Sequence, residues 1–338
     1  MKKTRIAING FGRIGRLILR AYIERNIKDI EIVAINDLGS IGSNAHLLNF
    51  DSTHGPLYNK IKVNKSGFVN NNKQIKIFSE RSPEDLPWKS LNIDVVLECT
   101  GIFATKEKAS KHLLAGAKKV LVSAPTSNSD ITIVQGVNNN KLMKKHSIIS
   151  NGSCTTNCLA PIVMILNREF GIISGYMSTI HSFTGDQSTL DTLHKDLRRA
   201  RTATDSLIPT STGAAKAIDL VLPEMKGKLD GTAIRVPTSN VSLIDLTFLS
   251  KKKTTIEEIN NSIVSESKTK KFKDILTINE LPLVSKDFNH NPSSSIFDLT
   301  QTQVVNGNFC RILSWYDNEW GFSNRMIDTA KQIGKLIN

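Results

Sequence analysis

Short apolar runs alternate with stretches of helical periodicity through the first 150 residues. Residues 5–9, 31–35, 95–99 and 120–123 are apolar runs of strand length, and 15–25 and 106–114 repeat apolar positions at helical spacing, Leu17, Ile18 and Ala21 among them. Alternating β and α patterns predict a parallel sheet with crossover helices. Residues 68–82 break the rhythm and read as a small β excursion. Beyond residue 150 the pattern changes. Helical periodicity over 154–169 is followed by a strand at 175–181, then by a polar, arginine-rich stretch at 184–208 with weak periodicity. Strands are expected at 233–236, 242–248 and 311–316. A helix over 255–265 starts at Thr254 or Thr255, with Glu257 and Glu258 in its first turn. An amphipathic helix closes the chain at 322–336. This mixture predicts an α+β second domain, with a boundary near 150–153.

Composition narrows the classes. The 338 residues are 39% hydrophobic and 22% charged, an ordinary globular balance, and with 6% aromatics the core must be mostly aliphatic. The longest apolar run, 159–166, contains Pro161 and is far short of the roughly 20 residues a membrane span needs. The stretch after Met1-Lys2-Lys3 is broken by Asn9, Gly10 and Arg13, so no signal peptide is expected. The net charge of +13 admits nucleic-acid or membrane-surface binding. With no long basic run and no aromatic-interleaved basic stripe, a solvated lysine-rich surface is the expected reading, and nucleic acid is not expected as the primary partner. Cys99, Cys154, Cys158 and Cys310 form no CxxC pair and read as thiols in a reducing, cytoplasmic compartment.

Gly10-Phe11-Gly12-Arg13-Ile14-Gly15 fits GxGxxG, follows a predicted strand and opens a predicted helix. The second strand ends at Asn36-Asp37, with Asp37 22 residues beyond Gly15. That context is what a dinucleotide-binding fold requires. Gly10 permits the turn, Gly12 admits the pyrophosphate, and Gly15 allows the helix to pack close. The helix N-terminus offers N–H groups and a positive dipole to the phosphates. A carboxylate at Asp37 suits a ribose 2′-hydroxyl and repels a 2′-phosphate, favouring NAD over NADP; an Asp that only caps a turn is the other reading.

Ser153-Cys154-Thr155-Thr156-Asn157-Cys158 lies where a strand at 148–150 gives way to an apolar helix. A cysteine in a first helical turn feels the helix dipole, which favours the thiolate, and Ser153 or Thr155 is placed to cap. Cys158, one turn deeper, reads as a small buried hydrophobe. Cys-x3-Cys without a second ligand pair is not a zinc signature, and no metal is expected. Of seven histidines, His181, ending an apolar strand, is the best candidate base; a structural strand-end histidine is the alternative.

At these residues the chain resembles phosphorylating glyceraldehyde-3-phosphate dehydrogenases over essentially its whole length. The resemblance is carried by INGFGRIGR (8–16), SCTTNCLAP (153–161), HKDLRRAR (194–201), TSTGAAKA (210–217), KGKLDGTAIRVPT (226–238) and SWYDNEWGFSNRM (314–326). It implies an α/β fold: a Rossmann-type dinucleotide-binding domain at 1–152, completed by the C-terminal helix 322–338, and an α+β catalytic domain at 153–321 with a mixed or antiparallel sheet. It implies Cys154 as nucleophile and His181 as its base. NAD is the implied cofactor, with Arg13 and Ile14 at the pyrophosphate, Asp37 at the ribose, Arg81 near the adenine, Ser123 near the nicotinamide ribose and Asn318 at the carboxamide. Thr184 and Arg235 match the pocket for the substrate's own phosphate. Ser153, Thr155, Thr212 and Gly213 match the site for the attacking phosphate, with Arg199 between the two. The implied partners are glyceraldehyde 3-phosphate, inorganic phosphate and three further copies of the chain in a homotetramer, with the 184–208 segment at subunit interfaces.

Several positions depart from the family pattern. Gly152 stands where alanine is usual, and Phe183 and Phe322 replace frequent tyrosines. Thr192-Leu193 replaces pairs that help separate NAD from NADP use. Two rival functions follow: the hydrolytic sister enzyme, erythrose-4-phosphate dehydrogenase, which typically breaks the pattern kept here at Thr212-Gly213, and a basic binding protein as a secondary role.

Overall fold

The computed structural model describes residues 2–337, which form two compact units. One comprises the chain up to Ile133, Asn139–Gly152 and the residues from Ser323 on; the other comprises Val134–Asn138 and Ser153–Phe322.

The first unit is built on nine strands. They are β1 (Thr4–Asn9), β2 (Ile30–Asn36), β5 (Lys62–Asn64), β6 (Gly67–Asn70), β7 (Lys73–Phe78), β8 (Val95–Glu98), β9 (Lys119–Val122), β10 (Ile131–Thr132) and β11 (Ile148–Ser150); β3 (Phe50–Asp51) and β4 (Gly55–Pro56) form a separate ribbon. The sheet order is β10-β11-β9-β8-β1-β2-β7-β6-β5. Pairing is parallel from β10 to β7 and antiparallel only at β7-β6-β5. The expected β excursion is therefore an antiparallel edge on the parallel sheet, and it begins at residue 62 rather than 68.

Four helices serve this unit before residue 152: α1 (Arg13–Glu24), α2 (Ile41–Asn49), α3 (Lys106–Ala109) and α4 (Lys111–Leu114). Helix α1 buries Leu17, Ile18, Leu19 and Ala21. Its Arg20, also buried, donates to the carbonyls of His54, Gly55 and Pro56 and to Glu24, so the ribbon satisfies the guanidinium. The helix expected over 106–114 is two short pieces, because the Ser110 hydroxyl donates to the Lys106 carbonyl at the break. The final helix, α8 (Trp320–Ile337), reaches this unit with Gly334, where a Cβ would lie 1.9 Å from Thr4 Oγ1.

The second unit holds β12 (Ile172–Ser182), β13 (Ile208–Ser211), β14 (Leu229–Val236), β15 (Ser242–Ser250), β16 (Leu276–Asn279), β17 (Ser295–Asp298), β18 (Gln303–Val305) and β19 (Phe309–Tyr316). Their order is β13-β14-β12-β15-β19-β17-β16, with β18 on β19. Pairs β12/β14 and β16/β17 are parallel and the rest antiparallel, the mixed sheet expected. Strand β15 alternates buried and half-buried residues along its length, the signature of a sheet with one covered face. Helices α5 (Cys154–Phe170), α6 (Ala214–Val221) and α7 (Ile256–Ser267) supply the cover. Leu159, Ile162 and Leu166 of α5 share a core with Ile244, Leu246 and Phe248 of β15, and with Ile218 and Ile263. Thr255, with Glu258 completing a capping box, starts α7. Helix α6 and strands β13, β16 and β17 were not legible in the hydrophobic pattern. Among the described residues no helix is long and apolar enough to cross a membrane.

Candidate functional site

In the first unit, β1 ends in the glycine loop. Gly10 has φ +90°, and a Cβ there would lie 2.7 Å from the Thr100 nitrogen. At Gly15 a Cβ would meet the Gly10 carbonyl at 2.1 Å, so only glycine lets α1 close on the loop. Gly12 is different: a Cβ there meets nothing within 4 Å. It is also the N-cap of α1 and supplies no side-chain cap, so the helix start faces open space with the donors and dipole an anion needs. Gly15→Ala is expected to cost about 2 kcal/mol or more through overpacking. Gly12→Ala should change stability by only about 0.5 kcal/mol and weaken NAD binding by roughly tenfold. Thermal melts and NAD titration check both; a Gly12→Ala protein that binds like wild type would sink the cradle assignment.

A cavity of about 430 Å³ opens at this loop, lined by Gly10, Gly12, Asp37 and Arg81 together with Asn9, Asn36, Glu80 and Thr100. The Asp37 carboxylate accepts from the Phe11 N–H (2.8 Å), the Gly39 N–H (2.8 Å) and Asn44 Nδ2 (3.1 Å). It thus caps its own turn and also ties the glycine loop to the end of β2. Asp37 therefore caps its turn and also lines the cavity. Arg13 is committed elsewhere: its guanidinium makes a two-pronged pair with Asp51 (2.5 and 3.3 Å). Burial works to raise the Asp51 pKa, but Arg13 and the N–H groups of His54 and Thr53 outweigh it and hold it at about 2. Ser123 follows β9, donating its N–H to the Glu98 carbonyl, and is not among the residues lining the cavity. Arg13, Ile14 and Gly15 are likewise not among the residues lining the cavity.

In the second unit, Cys154 is the first residue of α5, and Ser153 is its N-cap, accepting from the Thr156 N–H at 3.0 Å. Strand β12 delivers His181 so that Nε2 lies 3.6 Å from Cys154 Sγ. The thiolate expected from the helix start alone is not the resting outcome. Burial raises the thiol's pKa, and Arg235 and the Thr155 hydrogen bonds pull it down by less. Desolvation outweighs these local effects although Cys154 is half-buried rather than fully enclosed. His181 is depressed to about 3, first by burial and then by the Arg235 charge. The pair is therefore a thiol facing a neutral imidazole. His181 Nδ1 lies 2.7 Å from the Ser182 carbonyl and 2.7 Å from Arg235 Nη1. Nδ1 thus stands between an acceptor and a donor-only guanidinium: Nδ1–H donated to the carbonyl leaves Nε2 to accept from the thiol, as a base requires, whereas Nδ1 accepting from Arg235 puts the ring proton on Nε2.

The residues matched to phosphate lie in the same unit. Arg235 is mostly buried, and its Nε–H has no partner among the described residues. Thr184 donates to Asp186 (2.5 Å), and Arg199 pairs with Asp186 (2.8 Å) and donates to Thr210 Oγ1 (3.0 Å). An incoming anion has to exchange for Asp186 at these two groups. Thr212 Oγ1 accepts from the Ala214 N–H, and Gly213 is the N-cap of α6 without a side-chain cap. The Ser182 and Ser242 hydroxyls both donate to Asn318 Oδ1 at 2.9 Å, which fixes the amide with its nitrogen as the remaining donor.

Sequence reasoning missed Tyr316. Thr179 Oγ1 donates to the Leu243 carbonyl (3.0 Å), so it accepts from Tyr316 Oη (2.9 Å), which accepts in turn from Thr155 Oγ1 (2.9 Å). The Thr155 hydroxyl proton is thereby committed to Tyr316. The Tyr316 ring also stands edge-on to His181, with centroids 5.9 Å apart. Its place in SWYDNEWGFSNRM was visible; its reach across the sheet was not. Val241, beside Ser242, has φ +69°, strained for a β-branched residue. Gly152 has φ +65°, so the corner before Ser153 takes the left-handed region that favours glycine. Among the described residues no cluster of His, Cys, Asp and Glu is arranged to hold a metal ion.

Comparison with known proteins agrees with this geometry. Residues 4–106 match the family described as glyceraldehyde 3-phosphate dehydrogenase, NAD binding domain, and residues 153–318 match glyceraldehyde 3-phosphate dehydrogenase, C-terminal domain. The chain is 58% identical to the glyceraldehyde-3-phosphate dehydrogenase of Xanthobacter flavus, covering 98% of this chain and 99% of that one. Against the enzymes so named from Cereibacter sphaeroides and Geobacillus stearothermophilus identity is 56% and 52%, each over 98% of this chain and 99% and 98% of the relative. A glycine cradle, a cysteine at a helix start and a buried histidine behind it are thus found in a chain that belongs to the glyceraldehyde-3-phosphate dehydrogenase family.

Proposed function

We infer that this chain oxidises glyceraldehyde 3-phosphate with NAD and captures the acyl group with inorganic phosphate, releasing 1,3-bisphosphoglycerate. The observation that carries the reading is the 3.6 Å contact between Cys154 Sγ and His181 Nε2 at the start of α5. His181, neutral at pH 7, takes the thiol proton as Sγ adds to the aldehyde carbon. The thiohemiacetal oxygen then lies at the helix N-terminus, where N–H groups stabilise it. His181 returns that proton to the thiohemiacetal oxygen and takes it back from the hydroxyl as the hydride leaves. NAD, when bound, supplies the oxidant by taking the hydride from the same carbon. The product on Cys154 is a thioester, which phosphate attacks to release the acyl phosphate and restore the thiol.

Gly10, Gly12, Asp37 and Arg81 would hold the adenosine and pyrophosphate part of NAD, with Ser123 and Asn318 toward the nicotinamide. Arg235, with its unpaired buried N–H, and Thr184 would hold the substrate's phosphate. Arg199, Ser153, Thr155, Thr212 and Gly213 would hold the attacking phosphate. Thr155 would do so without its hydroxyl proton, which Tyr316 accepts. Thr212 and Gly213 at the start of α6 favour phosphorolysis over the hydrolytic sister reaction. The four thiols are unpaired, in keeping with a reducing cytoplasm. An NADH assay with glyceraldehyde 3-phosphate tests the whole reading. Sustained turnover is expected only with phosphate or arsenate. Turnover at the same rate without either would favour the hydrolytic enzyme.

A homotetramer is part of the same reading. The segment after β12 exposes Leu190, Leu193, Leu197 and Leu207, each more than two-thirds accessible in the single chain. So many exposed leucines on one irregular segment fit burial against another copy. Light scattering should give about four times 37.4 kDa at micromolar concentration; a fully active monomer would refute it.

A further inference from the structure

Behind the cavity of the first unit lies a buried polar chain that the reaction does not use. Its centre is Glu98, the last residue of β8, which is 1% exposed and does not line the cavity. Its carboxylate accepts four hydrogen bonds. Oε2 takes Asn9 Nδ2 (2.6 Å) and His112 Nε2 (2.9 Å); Oε1 takes the Thr100 N–H (2.8 Å) and the Thr100 hydroxyl (2.5 Å). The donor sense at His112 follows from its other neighbour. Trp88 Nε1–H can only donate, and it lies 3.0 Å from His112 Nδ1, so the ring proton sits on Nε2 and points at Glu98. His112 and Trp88 are both fully buried.

The front of the chain is the cavity wall. With Asn9 Nδ2 held by Glu98, Asn9 Oδ1 faces outward and accepts from Asn36 Nδ2 (2.7 Å). That fixes Asn36 Oδ1 toward the Glu80 N–H (2.8 Å), while Asn36 Nδ2 also donates to the Glu80 carbonyl (2.9 Å). Asn9, Asn36, Glu80 and Thr100 all line the cavity, and Arg81 follows Glu80 directly. Which way each amide in the wall points is therefore decided by one carboxylate that touches no ligand.

We propose that Glu98 is the positioning residue of the cofactor cavity, setting the orientation of Asn9 and Thr100 directly, and that of Asn36 and the Glu80–Arg81 backbone through Asn9, with His112 and Trp88 locking it from behind. This rests on the reading of the cavity as the NAD site. Glu98→Gln keeps the shape and removes the second acceptor. Whichever way the new amide turns, its NH₂ faces a donor: the Thr100 N–H on one side, or Asn9 and His112 on the other.

The test is NAD and ADP-ribose titration of the whole protein, with steady-state kinetics alongside. Glu98→Gln is expected to raise the Kd of both ligands at least about tenfold and the KM for NAD in parallel. The kcat at saturating NAD, and the alkylation rate of Cys154 by iodoacetamide without NAD, should stay within about twofold. A merely structural role would not split KM from kcat in this way. Asn9→Ala in the Glu98→Gln background should add little to the loss; multiplying losses would mean that Glu98 does not act through Asn9 and would overturn the proposal. So would a folded Glu98→Gln protein with wild-type Kd, or one whose kcat falls with KM unchanged. Should Glu98→Gln fail to fold, Trp88→Phe, which removes the far N–H together with part of the buried indole, is expected to raise the NAD Kd about threefold, and an unchanged Kd would overturn the proposal. Wild-type protein that binds no NAD would instead refute the cofactor reading, which separates the two failures.

Discussion

Cys154→Ser is expected to lower dehydrogenase turnover by at least about 10⁴-fold while leaving NAD affinity near wild type. The nucleophile must give its proton to His181, 3.6 Å away, and a serine hydroxyl is far harder to deprotonate than a thiol. Its product would also be an oxygen ester, a poorer acyl donor than a thioester. NAD affinity should survive because the glycine cradle lies on residues of the other unit. Cys158→Ser is the control. Its thiol is fully buried, contacts Ser295 Oγ at 3.5 Å, and is pushed up to about 12 by burial. It should keep most of its turnover and lose about 1–2 kcal/mol of stability at most. Equal inactivity of the two variants in the NADH assay would overturn the assignment of nucleophile.

His181→Asn should slow turnover by about 10²–10⁴-fold, the usual range for loss of a positioned base. Iodoacetamide alkylation of Cys154 near neutral pH should slow as well, because no base remains opposite Sγ. Acid stability gives an independent readout. The folded pKa of His181, about 3, lies below the ordinary value of 6.5, so between those values the unfolded chain binds the extra proton. Stability contributed by the neutral, buried ring is thus full above pH 6.5 and is lost as pH falls toward 3. Replacing His181 should flatten that part of the unfolding curve. Unchanged turnover together with unchanged alkylation would remove His181 from the mechanism.

The local parts of the site were legible along the chain because each is a feature of a few consecutive residues. A strand, three glycines and a helix in order predict the cradle, and the structure shows a steric need for glycine at Gly10 and Gly15 and open space at Gly12. Hydroxyls on either side of a cysteine at the start of an apolar helix predict a cap at Ser153 or Thr155, and Ser153 is the one observed. Elements of low contrast escaped the pattern. Helix α6 follows a polar stretch and is only eight residues long, and β16 and β17 are four residues each. Too few periods are present in such segments to reveal a face.

What the sequence determined by itself, then, is which backbone shapes are permitted and which reactive groups sit at their ends: Gly15 where any Cβ collides, Cys154 at a helix start, His181 at the end of β12. What only the tertiary structure decided is the state of those groups. The helix dipole at Cys154 is a local effect and favours the thiolate. Burial is a property of the packed core and overrides it, leaving a thiol beside a neutral imidazole. The same holds for Thr155, whose proton is claimed by a tyrosine 161 positions away, and for Asn9, whose amide is oriented by Glu98, 89 positions away. Hydrogen-bond direction and desolvation depend on partners brought together by the sheets, and no pattern of neighbours along the chain carries that information.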